Sequence, residues 1–462
     1  MTVDDIPKNT HINEKNIQID VDFRAINGYN IIGSVKDMLI QFNFKNFKSF
    51  KEEVSLDISS TKISEHVEHI ANVANDKLLR VAAIYGANAS GKSNIYEAFS
   101  FMTYYVSESF KFGGESESKQ KNDNQYMKAT PFLFDKTSRE NESTFEVFFV
   151  DNRDSGQKSY QYGFALNQEE VVEEWLYCKA KTAREYKTVF YRKKGQKLEL
   201  PGIAKNSAEN INIALEKESL VISLGAKLKI AKLKMIRDWF LSNEIIDFGD
   251  PAENFFRSRM IPERFNNDKD VQKKVIDFFS SFDEAIQGFN IEEVRTENEK
   301  DDEGTYSIDA LHKMIDSTDM ASIPLSNESS GTLKMFSLFP SLQEVFKQGS
   351  VLLVDELNAR LHPLLVRNII LTFLNPEINT RNAQLIFTTH DIWQLSNDLL
   401  RRDEIWFVEK DKDGVSSLYS LADFVDESGA KIRKDESFAK NYLIGKYGAI
   451  PSLKVIDMFK EE

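Results

Sequence analysis

Four short stretches of this chain carry residue types that suit work on a phosphate. The first, Gly86-Ala-Asn-Ala-Ser-Gly-Lys-Ser93, fills every position of G-x-x-x-x-G-K-[ST]. Gly86 and Gly91 let the backbone curl so that successive N–H groups face an anion, and a following helix aims its positive end at the same place. Lys92 is expected to reach the β- and γ-phosphates and the Ser93 hydroxyl to ligate Mg²⁺, with Asn88, Ser90 and Asn94 completing the contacts. The second stretch, VLLVDE (Val351 to Glu356), ends a four-residue apolar run in two adjacent acids. Neighbouring carboxylates at the edge of a core repel and lose hydration, a cost that a divalent cation removes. In this Walker B arrangement Asp355 holds Mg²⁺ through its water shell, and Glu356 polarises the water that attacks the γ-phosphate.

The third stretch, Gln384-Leu-Ile-Phe-Thr-Thr-His-Asp391, is another buried-strand run with a polar end, where His390 is placed to hydrogen-bond the γ-phosphate. The fourth, Leu325-Ser-Asn-Glu-Ser-Ser-Gly-Thr332, leads into a helical pattern and offers a second anion-binding helix end at Ser329, Ser330 and Gly331. One nucleotide cannot use both helix ends of one subunit, because the phosphate loop already surrounds it. The second end is therefore expected to serve the nucleotide of a partner subunit, in a homodimer or higher homo-oligomer. The plainer alternative makes Ser329 a helix cap worth about 1 kcal/mol.

These residues need elements to hold them. Leu79 to Tyr85 is a short continuous apolar run, as in a central strand covered on both faces, and apolar residues recur at helical spacing from Ile95 onward. The loop thus reads as a strand-turn-helix. MLIQFNFKNFKSFKEEVSLDI, from Met38, alternates as a half-buried strand pair does. Lys92 and Asp355 lie farther apart in sequence than one α/β head needs. Residues 181–315 are accordingly expected to be an inserted, largely helical lid or arm, with helices at Ala226 to Phe240 and Asp270 to Phe282. Neither sustains the heptads of a long coiled coil. The expected division is an extension over 1–37, a lobe with the phosphate loop over 38–180, the insertion over 181–315, a second lobe over 316–425 and a C-terminal segment over 426–462.

Composition narrows the class. With 462 residues, 41% of them apolar, the chain can bury a large core. One cysteine, Cys178, excludes a disulfide framework, and the sequence shows neither an 18-residue apolar run nor a basic-then-apolar N-terminus, so a cytoplasmic protein without membrane partners is expected. A formal charge of −14 argues against a surface wholly devoted to nucleic acid. Basic islands remain at Lys179 to Lys197 and Lys227 to Lys234, where DNA is a possible partner. His66 and His69 have a spacing that could suggest a metal, but no Cys or third His accompanies them, so no metal site is expected there.

The order phosphate loop, Ser-Ser-Gly, apolar-Asp-Glu and Thr-Thr-His resembles the ATP-binding-cassette ATPases of the SMC/RecF branch. Most similar are the compact AAA-type, OLD-like bacterial ATPases of the RloA/AbiL-like phage-defence group. MLIQFNFKNFKSFKEEVSL resembles their first strands, with Asn46, Phe47, Lys48 and Ser49 matching a turn near the nucleotide; TPFLFD and YGFALNQEEVVEEWLY are also similar. The resemblance implies an ABC-type P-loop head, a mixed sheet flanked by helices, with ATP and Mg²⁺ as cofactors. It also implies Lys48 near the nucleotide and Ser329 and Gly331 acting across a head-to-head dimer. Asn358 and Arg360 stand where the group carries an acid and a Ser.

ATP is favoured over GTP, since Asn267-Asp-Lys-Asp270 has the wrong order for a guanine reader. Three functions fit the resemblance: an antiphage sensor and scaffold controlling a separately encoded toxin or nuclease, a RecF/SMC-like ATPase of DNA repair or maintenance, and an ATPase carrying its own nuclease. The last needs on the order of 100 further residues; 41 follow Leu421, and the stretch NYLIGKYGAIPSLKV among them holds no acid cluster, so that reading is set aside. A DNA clamp should show a continuous basic groove, whereas this chain offers only islands, so the first is expected.

Overall fold

The computed structural model describes residues 37–112, 128–151, 157–257, 265, 268–280, 285–294, 305–425, 429 and 431–451. The expected extension over 1–37, Asp37 apart, and residues 452–462 lie outside them. In chain order the strands are β1 (Met38–Lys45), β2 (Val54–Asp57), β3 (Ile70–Val73), β4 (Asp76–Leu79), β5 (Val81–Gly86), β6 (Ser143–Asp151), β7 (Lys158–Leu166), β8 (Val171–Ala180) and β9 (Lys187–Lys193). There follow β10 (Glu244–Asp247), β11 (Ile286–Val294), β12 (Thr305–Lys313), β13 (Met320–Pro324), β14 (Val351–Asp355), β15 (Gln384–Thr388), β16 (Ile405–Lys410) and β17 (Ser416–Ser420). The helices that matter for the site are α1 (Lys92–Glu108), α2 (Val221–Lys227), α3 (Ala231–Leu241), α4 (Lys269–Ser280), α5 (Ser330–Gln348) and α6 (Pro363–Leu374).

Two six-stranded sheets dominate. One, in the order β2-β1-β6-β7-β8-β9, is antiparallel throughout; the other, β10-β14-β15-β5-β16-β17, is parallel except at its last pair. Alternate residues of the parallel strands serve different cores. Ala82, Ile84, Val351, Leu353 and Ile386 pack with Ile95 and Phe99 of α1 and with Leu39 and Phe42 of β1. Val81, Ala83, Leu352, Val354, Leu385 and Phe387 pack on the other face with Leu338 of α5 and with Val366 and Ile370 of α6. Burial on both faces is why these strands read as unbroken apolar runs.

The amide of Gln384 joins the sheets. It accepts from Leu39 N at 2.7 Å and donates to the carbonyls of Leu39 and Leu79 at 3.0 and 3.1 Å, satisfying buried backbone groups beside a β-bulge.

Among its described residues, the segment 181–315 is not the largely helical lid expected. β9 completes the antiparallel sheet and β10 extends the parallel one beside β14. The helix expected over Ala226 to Phe240 is instead the pair α2 and α3, broken at Lys229, whose φ is 58°. Its apolar stripe is too wide for solvent: Leu233, Ile236, Trp239 and Phe240 are buried in the core that contains Phe99 and Met102 of α1. The Trp239 ring stacks on Phe149 of β6, with centroids 4.2 Å apart. What stands apart is the small sheet β11-β12-β13 with α4, the helix expected at Asp270 to Phe282. Its core, Val271, Val275, Phe279, Ile286 and Ala310, docks on Phe336 and Phe339 of α5.

Glu174 of β8 anchors the α2–α3 pair. Wholly buried, it accepts from the N–H groups of Val221 and Ile222 at 2.7 and 3.2 Å and from the Tyr162 hydroxyl at 3.1 Å. Desolvation pushes its carboxyl up to about 7 despite the nearby Arg192 charge. With a folded value above the unfolded 4.5, the native state holds the extra proton between those two limits. This group's contribution to stability therefore falls as pH rises through the window and levels off above it. Urea unfolding of wild type and Glu174→Gln at pH 5 and pH 7.5 is expected to show the wild type losing roughly 2 kcal/mol more than the variant. Equal losses would refute the assignment.

Candidate functional site: a phosphate loop facing a carboxylate cluster

β5 ends at Gly86 and α1 starts at Lys92, so the loop between them opens at a helix N-terminus. Ala89 (φ 61°) and Gly91 (φ 113°) take left-handed conformations, which turn backbone N–H groups inward. Crowding fixes the glycines. A Cβ at Gly91 would meet Ser416 Oγ at 2.6 Å and Ser49 Oγ at 2.7 Å, and one at Gly86 would meet the Val408 carbonyl oxygen at 2.5 Å.

The same serines clamp the loop from outside. Ser416 Oγ donates to the Ser90 carbonyl at 2.6 Å and stands 2.7 Å from Ser49 Oγ, which accepts from Asn94 Nδ2 at 2.6 Å. Two of the expected nucleotide contacts, Asn94 and Lys48, have side-chain partners within the chain, and a third, Ser90, has a buried hydroxyl without a hydrogen-bond partner. Asn94 is tied to Ser49, Lys48 forms an ion pair with Glu97 of α1, and the Ser90 hydroxyl is buried against Gly86. Asn88 and Ser93 are exposed at the mouth of the loop. The Lys92 ammonium donates to the carbonyls of Gly86 and Ala87 at 2.9 and 3.1 Å. Burial lowers its pKa, and the charges of Asp355 and Glu356 oppose that shift, so the loop lysine lies in the field of both acids.

Asp355 ends β14 and is buried. The Thr388 hydroxyl donates to its carboxylate and accepts from Glu356 N at 2.8 Å. That bond helps hold Glu356 at φ 52°, a conformation that costs a non-glycine residue about 1–3 kcal/mol. A third acid, Asp247, is paired in register with Asp355 across β10 and β14. Burial first, and the Asp355 charge second, push its carboxyl up to about 6. A Cβ on Gly249 would lie 3.0 Å from Asp247 Oδ1 and 3.7 Å from Glu356 Oε2, which places those side chains together. Sequence reasoning missed Asp247, although EIID repeats the signal of an apolar run closed by an acid.

His390 is exposed at the end of β15, between the loop strand and the acid strand. Asn358 Oδ1 accepts from Thr389 Oγ1 at 2.7 Å, leaving its amide nitrogen to donate to His390 Nε2 at 3.2 Å. The network thereby assigns the His390 proton to Nδ1. Asn358 orients the histidine within its own subunit.

Ser329 caps α5, accepting from Thr332 N at 3.1 Å, and both Ser329 and Ser330 are exposed. Gly331 approaches the loop after the acids: a Cβ there would stand 3.4 Å from the Arg360 carbonyl oxygen. One turn on is a second residue missed from sequence, Lys334. Its buried ammonium donates to Ala359 O at 2.7 Å and lies 3.9 Å from the centre of the Phe248 ring. Burial and the Arg360 charge bring it down to about 8, against the pull of Glu356 and Asp247.

Over residues 81–392, more than half of the chain, the sequence matches the family described as "AAA domain, putative AbiEii toxin, Type IV TA system". The chain belongs to this family. Among curated proteins, none matches the chain. The family is one of P-loop ATPases linked with abortive-infection and toxin–antitoxin systems, and nucleotide binding follows from membership. The match runs from the first residue of β5 past His390, so it contains the loop, the three acids and the histidine. No helix among the described residues is long and apolar enough to cross a membrane.

Thr388→Val keeps shape and removes the hydroxyl that positions both acids. ATP turnover is expected to fall on the order of tenfold or more with KM within about twofold, because misplacement of the acting group costs rate rather than binding. Unchanged turnover in a steady-state phosphate-release assay would show that Thr388 does not set the geometry.

Proposed function

We propose that the protein is a Mg²⁺-dependent ATPase that acts as the sensor and scaffold subunit of an antiphage system, controlling a separately encoded toxin or nuclease. The observation that carries the enzymatic part is the convergence of Lys92 with Asp355 and Glu356 at one edge of the parallel sheet. In this reading Ser93 and Asp355 hold Mg²⁺, which neutralises charge on the phosphates. Lys92 binds the β- and γ-phosphates, Glu356 polarises the attacking water, and His390 contacts the γ-phosphate. The exposed start of α5, at Ser329 to Gly331, supplies the second wall of a site in another subunit. The effector role rests on family membership. The DNA-maintenance reading is disfavoured because two lysines of the first basic island are paired with acids: Lys194 with Glu170 at 2.6 Å and Lys193 with Glu173 at 3.7 Å.

Direct titration is expected to show tighter binding of ATP than of GTP, and equal or tighter GTP binding would defeat the nucleotide assignment. Lys92→Ala is expected to abolish binding, whereas Glu356→Gln keeps ATP bound, stops turnover and traps an oligomer. Near-wild-type hydrolysis by Glu356→Gln would remove Glu356 from its role.

A mixture of Lys92→Ala and Ser329→Arg proteins is expected to recover part of the turnover that neither shows alone, since one of two shared sites becomes intact. Full activity of Ser329→Arg alone, with only a lowered melting temperature, would reduce Ser329 to its helix cap. For the effector, co-expression with the product of the neighbouring gene is expected to yield a complex whose toxicity changes with Glu356→Gln; a product that neither binds nor responds would overturn the scaffold reading.

A further inference from the structure

We propose that His66, Glu68 and His69 form a zinc-type transition-metal site, separate from the phosphate site. The two histidines lack a third His or Cys, and Glu68, between them in the same turn, offers a carboxylate instead. His66 Nδ1 lies 3.3 Å from Glu68 Oε1, His69 Nε2 lies 3.8 Å from the same oxygen, and the three ligand atoms fall within 4.8 Å of one another. A tetrahedral ion bound at about 2.0–2.2 Å needs ligand atoms about 3.3–3.6 Å apart. Two of the three separations are close to that already. The rings are stacked at 4.8 Å and 12°, so binding tilts the more exposed His66 ring toward the shared point.

The outer partners make the case stronger than spacing does. His66 Nε2 lies 2.8 Å from the Asn397 carbonyl oxygen, an atom that only accepts, so Nε2 carries a proton and Nδ1 is the nitrogen left to face Glu68 and take a metal. His69 Nδ1 stands 3.1 Å from both oxygens of the wholly buried Glu404 carboxylate, which also accepts from Arg401 N at 2.8 Å. That fixes the His69 proton on Nδ1 and turns Nε2 toward Glu68. A carboxylate behind one ligand histidine and a carbonyl behind the other is the arrangement that orients imidazoles on a metal.

The loop is also held in place. The buried Arg401 guanidinium grips Asp403 with two bonds of 2.8 Å and donates to the Glu65 carbonyl, while Asp403 accepts from Thr61 N and Oγ1 at 2.8 Å. Arg80 donates to the Glu68 carbonyl at 2.7 Å. Two imidazoles and one carboxylate suit Zn²⁺, whereas Mg²⁺ and Ca²⁺ prefer all-oxygen shells. The Glu68 side chain is 55% exposed, so the ion enters from solvent and keeps a water in the fourth position. The bound ion would fix the loop before β3 against residues 397–404, which run from the His390 strand into β16.

The test uses tag-free, full-length protein in excess Mg²⁺ without nucleotide. After equilibration with micromolar Zn²⁺ and desalting, metal analysis is expected to find one zinc per chain, and Co²⁺ is expected to give the visible bands of a tetrahedral site. Glu68→Gln, His66→Gln and His69→Gln are expected to lose the zinc, whereas His362→Gln, at an exposed histidine elsewhere, keeps it. Glu404→Gln is expected to weaken binding about 10–100-fold. Glu68→Gln separates binding from folding: its metal-free melting temperature should match wild type, while the zinc-induced rise disappears. Wild type without stoichiometric zinc, or zinc retained equally in Glu68→Gln and His66→Gln, would overturn the site and leave a hydrogen-bonded histidine clip.

Discussion

Parallel pairing of four strands is the constraint on which the site depends. β10, β14, β15 and β5 run the same way, so all end at one edge of the sheet. Hydrogen-bond register then sets what meets there: Asp247 lies opposite Asp355, and Thr388 lies opposite Ile84, two residues before Gly86. β14, β15 and β5 are buried on both faces, and a slip of one residue would exchange the apolar sets that serve the two cores. Hydrophobic burial thus fixes register, and register brings residues far apart in the chain to one point.

On that edge the chemistry is held by crowding and by strain. Gly91 is wedged between Ser49 and Ser416, which belong to the turn after β1 and to the start of β17. The antiparallel sheet is therefore part of the machinery that shapes the loop, and Gln384 binds that sheet to the parallel one. Glu356 and Ala89 sit at positive φ, where their neighbours over-determine the backbone.

Charge completes the picture. Asp247, Asp355 and Glu356 share a small region with two lysines, Lys92 and Lys334, whose pKa values are both lowered by burial. Each lysine donates to backbone carbonyls. Asn358 and His390 complete the rim.

The sequence by itself determined the parts whose physics is local. The phosphate loop was legible because glycine spacing, a preceding apolar strand and a following helical period all act within about twenty residues. Asp355-Glu356 and Thr389-His390 were legible because a strand buried on both faces announces itself, and a polar end to it is conspicuous. Tertiary structure decided the rest. Asp247 was hidden because four residues, EIID, become a site strand only by pairing with β14, more than a hundred residues away in the chain. Lys334 was hidden because a lysine in a helical pattern reads as surface until the loop after the acids covers it. The expected helical arm dissolved for the same reason: α3 and β10 bury their apolar faces against α1 and β14, and burial partners so distant leave no mark on local periodicity. His66, Glu68 and His69 were adjacent in the sequence, but the buried Glu404 behind His69 took its place only when the turn before β16 folded against them.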